Sequence, residues 1–196
     1  MLRIYTIGHS SHPVEHFVGL LRMHGIEVLV DTRTSPYSGY VPWFDRELIQ
    51  KTLAKAGVQY LFLGDVVGGR PKDEAFYDEQ GHVLYSKVGQ SREFLNGIER
   101  LENGCKQYKV ALMCGEENPA HCHRRLLIGR VLVERGAEIL HMRGDGKLQT
   151  ESDIVLESGK TLDDVQPALF AELNEDKWKS TVSVSRKKAP ANSLEQ

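Results

Sequence analysis

Five short apolar runs, Arg3–Ile7, Ile26–Val30, Val58–Leu63, Lys109–Met113 and Glu138–Met142, alternate with segments whose apolar residues recur at helical spacing. No other feature constrains the chain as strongly. Runs of this length suit buried strands. Strands alternating with helices build a parallel sheet whose crossovers cover both faces. The expectation is an α/β fold: a three-layer open sheet, mostly parallel, of about five strands with helices on both faces. Glycines 25, 57 and 136 close the helical segments. Ser11, Asp45 and Asn118 stand where N-caps belong, and Asn118 is followed by Pro119 at a first helical position. On this reading one helix carries His121 to Arg125 in its first two turns and runs on through Val133.

The chain has 196 residues, enough for one sizeable core plus extensions. Residues 1–150 are expected to form a single α/β domain. Residues 151–179 form an extension with a short helix opened by Pro167. Residues 180–196, poor in apolar side chains and carrying Arg186-Lys187-Lys188, are expected to be disordered. Residues 71–90 interrupt the rhythm and are expected to form an excursion or lid over the sheet edge. A net charge of −2 gives no global attraction to nucleic acid, so any such binding must rest on a local patch. No apolar stretch approaches the ~20 residues of a membrane span. The opening residues lack a signal-peptide pattern, and three cysteines without one point to reduced thiols in the cytoplasm.

Ligands of an open parallel sheet bind outside the carboxyl ends of its strands. Each of the first four runs ends in a polar cluster: His9-Ser10, Asp31-Thr-Arg33, Asp65 with Gly68-Gly69, and Cys114-Gly-Glu116. The fold therefore gathers imidazole, carboxylate, guanidinium and thiol on one rim. His9, Asp31 and Glu116 are the candidate catalytic residues, with Asp31 and Glu116 as a facing pair of acids. Asp31 serves equally well as an anchor for a loop amide, and Glu116 as a partner of Arg124 in a salt bridge. Arg33 and Arg124 can hold phosphate or carboxylate by bidentate hydrogen bonds. Ser10, Ser35, Gly69, Cys122 and His123 complete the candidate ligand-binding set, Gly69 by letting a backbone amide approach an anion. Asp31 and Arg33 need not pair directly.

The thiols admit three readings. Cys114 can simply pack at its strand end, which is the preferred one. Cys122, beside His123 and Arg124, can act as a lowered-pKa nucleophile. Cys114, Cys122 and His123 or His9 can hold zinc, although the seven-residue gap between the thiols matches no common zinc spacing. No metal ligand and no cofactor is therefore assigned.

Thr6-Ile-Gly-His-Ser10, Leu29-Val-Asp-Thr-Arg33 with Ser35-Pro36, Gly68-Gly69-Arg70-Pro71, and Leu112-Met-Cys-Gly-Glu116 with Cys122-His-Arg124 together resemble the domain-of-unknown-function family numbered 488. The similarity covers about residues 3 to 143, with the motifs in the same order. Thr32 stands where members of that family usually carry a hydrophobic residue. The resemblance implies a compact α/β domain in a bacterial or archaeal cytosol and supplies no reaction.

The leading expectation is an enzyme, a hydrolase or group transferase, acting on a phosphate-bearing substrate such as a nucleotide or nucleic acid. The second is a non-catalytic module binding an anionic small molecule or nucleic acid, with Tyr37, Tyr40, Trp43 and Phe44 stacking on bases. Packing of those aromatics over the core is the favoured alternative. The third is a Cys/His metal or thiol protein.

Overall fold

The computed structural model describes residues 2–157 and 178–184. Six strands form one sheet: β1 (Leu2–Gly8), β2 (Val28–Asp31), β3 (Gln59–Phe62), β4 (Val110–Cys114), β5 (Ala137–Met142) and β6 (Leu148–Gln149), in the order β3-β2-β4-β1-β5-β6. All pairings are parallel except β5 with β6. The five apolar runs are the five parallel strands. The sixth has only two residues, too few to leave an apolar pattern.

Two helices, α1 (Val14–Met23) and α2 (Arg46–Lys55), cover one face. They bury Phe17, Leu20, Leu21, Ile49 and Leu53 against Ile7, Leu29, Ala111 and Met113. On the other face, α5 (Arg92–Cys105) and the helix ending in α6 (Arg130–Glu134) bury Phe94, Ile98, Leu101, Leu127 and Ile128 against Ile4, Val30, Leu112 and Ile139. Each fully buried side chain of this kind contributes about 1.5–3 kcal/mol. Two short helices, α3 (Gly64–Val67) and α4 (Tyr85–Val88), lie between β3 and α5, and α7 (Glu151–Glu157) follows β6.

Several local expectations are modified. Helix α1 begins at Val14 behind Pro13, not at Ser11. Asp45 stands at the N-cap of α2, but its carboxylate accepts from the Ser38 amide. Residues 71–90 do not merely overlie an edge, because Val83, Tyr85 and Val88 are buried in the second core. The helix expected from Asn118 is broken. Asn118 does cap, accepting from the Ala120 amide, but only the 3-10 turn Pro119–His121 follows. Cys122 is extended (ψ 140°), and the chain then coils into a π-helical stretch, Arg124–Gly129, ahead of α6.

The C-terminal side differs as well. Ser180–Val184, expected to be disordered, pack on the body. Ser180 exchanges bonds with Val83, and the Val184 amide donates to Gly81. The Trp178 indole donates to the Leu126 carbonyl of the π stretch at 2.7 Å and lies under the Arg130 guanidinium. The helix expected from Pro167 lies outside the described residues. Among the described residues no helix is long and apolar enough to cross a membrane.

Candidate functional site: a thiol–imidazole cluster at the carboxyl edge

The chain leaves β1 toward one face and β4 toward the other, so the crevice of this sheet opens where Gly8 pairs with Cys114. Backbone bonds close it. The His9 amide donates to the Cys114 carbonyl and the Ser10 amide to that of Gly115, both at 2.9 Å. A methyl group on Gly8 would lie 1.9 Å from the Glu116 oxygen, so only glycine admits this approach. Ser10 takes a left-handed conformation (φ 46°), strained for a residue with a side chain.

Both candidate anion-binding arginines are occupied inside the protein. Arg33 holds Asp31 through Nε (3.0 Å) and Nη2 (2.7 Å), and also donates to the Phe44 carbonyl and to His9 Nε2. Asp31 and Arg33 thus pair directly, because residues two apart share one face of an extended chain. Asp31 also accepts from the Tyr60 hydroxyl, whose pKa rises through burial and the adjacent carboxylate. These four donor contacts, counting the Arg33 amide, make Asp31 an anchor.

Arg124 is 0 % exposed. It donates to Thr6 Oγ1 and to the Glu116 and Glu117 carbonyls. Its contact with Glu116 is to the backbone; Glu116 is exposed, whereas Asp31 is buried. Ser35 is exposed too. His9 stacks on Phe44 at 4.4 Å, and its Nδ1–H donates to the Ser10 carbonyl. Burial, helped by the Arg33 cation, lowers its pKa against the pull of that carbonyl, so His9 is neutral.

The structure does converge at Cys114, Cys122 and His123. One donor atom from each lies within 4.8 Å of the other two. Cys114 ends β4, and the 3-10 turn together with the extended Cys122 swings the second thiol back toward it. His123 Nδ1 is 3.5 Å from Cys114 Sγ and 3.9 Å from Cys122 Sγ. On the far side of the ring, Nε2–H donates to the Thr32 carbonyl at 3.1 Å. The ring face rests on Gly69, where a methyl group would come within 2.7 Å of Cγ. Gly69 therefore serves as a close-packing surface for the imidazole.

The cluster holds its protons unevenly. Hydrogen bonding from Cys122 holds Cys114 well below an ordinary thiol, with His123 and Arg124 assisting against burial. Burial and the charge on Cys114 push Cys122 up. Burial opposes charge on His123, but the Cys114 thiolate and Thr32 carbonyl outweigh it and raise its pKa. The nearby Tyr85 hydroxyl is also pushed up, by burial and then by the two sulfurs. Of the two thiols Cys114 is therefore the more acidic, and His123 is the base it leans on; together the three side chains present two sulfur donors and one nitrogen donor.

A second network went unseen in the sequence. His141, inside β5, bonds Thr6 Oγ1 through Nδ1 at 2.7 Å and Glu151 through Nε2 at 2.8 Å. Glu151 in turn accepts from Arg125. The line runs from α7 through β5 and β1 to Arg124. A histidine and a threonine inside apolar runs were the available signal, but joining them needs the register that sets Thr6 beside His141.

No curated protein and no solved structure matches this chain. A family model does, over residues 13–131. That segment contains β2, β3, β4, Gly69 and the whole thiol–imidazole cluster. The chain belongs to the family described as Domain of unknown function DUF488.

Proposed function

We propose that this protein is metal-dependent, with Cys114 Sγ, Cys122 Sγ and His123 Nδ1 binding one divalent ion of the zinc class. The observation that carries the reading is the donor spacing. Zinc bonds of about 2.3 Å to sulfur and about 2.0–2.1 Å to nitrogen put neighbouring tetrahedral ligands about 3.5–3.8 Å apart. The imidazole nitrogen lies 3.5 and 3.9 Å from the two sulfurs. The Thr32 carbonyl adds support, because it fixes Nε2 as the protonated nitrogen and leaves Nδ1 free to ligate. Two thiolates and an imidazole suit zinc or a similar borderline ion better than magnesium or calcium. Three ligands among the described residues leave a fourth position for water or substrate, the pattern of a Lewis-acid centre.

Hydrolysis or group transfer fits such a centre. The reading led by the sequence, in which Arg33 and Arg124 clamp a phosphate, is less well supported, because both spend their donors on internal partners. The test is elemental analysis of the purified chain and of chain stripped and reloaded with Zn2+. One equivalent is expected, with loss in Cys122→Ser and in His123→Ala. Failure of the folded wild-type chain to take up an equivalent would reject the proposal.

A further inference from the structure

Arg124 differs from three other partly or fully buried arginines in one respect. Arg33 is paired with Asp31, Arg125 with Glu151 and Arg143 with Glu117. Arg124, the most deeply buried of the four, has no carboxylate partner among the described residues. Its bonds go to a hydroxyl and two backbone carbonyls. Those dipoles solvate a cation without cancelling its charge, and a buried, uncancelled charge costs several kcal/mol. The charge of Arg124 acts on both thiols.

The neighbours do not balance it. Glu117, whose carbonyl Arg124 holds, commits its carboxylate to Arg143 and the Gly144 amide. Glu116 is exposed and offers Arg124 only its backbone carbonyl. The imidazoles of His9 and His141 are neutral, each lowered first by burial. In the loaded centre two thiolates cancel a divalent ion, and a ligating His123 is neutral. One positive charge is left over.

We propose that the fourth coordination position takes an anionic donor, the carboxylate, phosphate or thiolate group of a small substrate, and selects it over a neutral one because of Arg124. The inference rests on the metal reading above. It restores an anionic partner to this protein through the ion, with Arg124 acting by its charge, which bears on both thiols, and not by a bidentate clamp. In this role Arg124 is a positioning and charge-setting residue; the ion makes the contact. A neutral donor such as water would leave the excess charge in place, whereas a monoanion removes it.

The experiment loads the full chain with Co2+, whose visible bands report the coordination shell. It then titrates azide, acetate and inorganic phosphate against the neutral ligands imidazole and dimethyl sulfoxide at constant ionic strength. Saturable band shifts are expected with anions at concentrations where neutral ligands do nothing. Affinity should fall at least about tenfold in Arg124→Gln and be retained in Arg124→Lys. Should Arg124→Gln fail to fold, the anion-over-neutral preference of the wild-type chain decides alone. Bound Co2+ with bands that ignore anions, or that answer neutral ligands equally, overturns this inference and leaves the metal reading intact. No Co2+ uptake by the folded chain removes both.

Discussion

His123 Nε2 and the Thr32 carbonyl lie 3.1 Å apart, so the end of β2 aims an imidazole at two sulfurs that belong to β4 and the turn after it. Two parts of the chain distant in sequence thus meet at a single ring. The tautomer follows from the bond, because a carbonyl can only accept. Everything that holds the ring, from Thr32 to Gly69, is a test of the centre.

Gly69→Ala places a methyl group 2.7 Å from His123 Cγ. The ring has to move or the loop has to open, and overpacking of this kind costs about 1–3 kcal/mol. The expected outcome is a lower urea midpoint together with faster release of Zn2+ to a chelator. Release at the wild-type rate would show that the ring is not held against Gly69.

Glu116→Gln separates a catalytic carboxylate from a structural carbonyl. Only the backbone of Glu116 is used by Arg124, so the substitution should change stability by no more than about 0.5 kcal/mol. Metal content should also stay the same. A marked loss of either would return the Glu116 side chain to the centre.

Arg33→Met leaves Asp31 buried without its cation and should cost about 3–5 kcal/mol in denaturant unfolding. Lysine cannot reproduce the two-pronged contact, so Arg33→Lys should fall between methionine and wild type. Near-neutral behaviour of Arg33→Met would contradict the assignment of the pair as an anchor.

The pH dependence of stability has a sign fixed by burial. His141 is lowered from its ordinary 6.5, by burial first and against the pull of Glu151. The unfolded chain therefore takes up the proton before the folded one does. The contribution of a neutral His141 is complete above 6.5 and is lost as pH falls through the lower, folded value. His9 acts in the same direction, and His123, which is raised, in the opposite one. Subtracting His141→Phe from wild type isolates the first of these. The difference in unfolding free energy is expected to shrink as pH drops from about 7.5 to about 5.5; a difference that grows would reverse the assignment.

The parallel sheet was legible because each strand is an apolar run bounded by turn or cap residues, and the rim was legible because polar clusters follow the strands. What happens on that rim was not. Asn118-Pro119 does signal a capped turn, yet nothing local announces that it stops at His121, that Cys122 turns extended or that Arg124 is drawn inward with a π turn behind it. Those departures, tertiary in origin, bring Cys122 to Cys114 across a gap that fits no familiar metal motif. Thr32 contributes a carbonyl, which no side-chain pattern reveals. The pairing of Arg33 with Asp31 follows from the strand period and was open to sequence reading; the other partners of Arg33 and Arg124, namely Phe44, Thr6 and the Glu116 and Glu117 carbonyls, are recognisable only once the chain is folded.

The docking of Trp178 on the Leu126 carbonyl bears on the order in which the molecule is assembled. A nascent chain that has emerged only as far as α7 already contains every described strand, both thiols and the imidazole. It still lacks the segment that ties down Val83 and Ser86 on either side of Tyr85. The segment that backs the cluster is thus synthesised after Cys114, Cys122 and His123, and these three side chains can come together before that side is sealed.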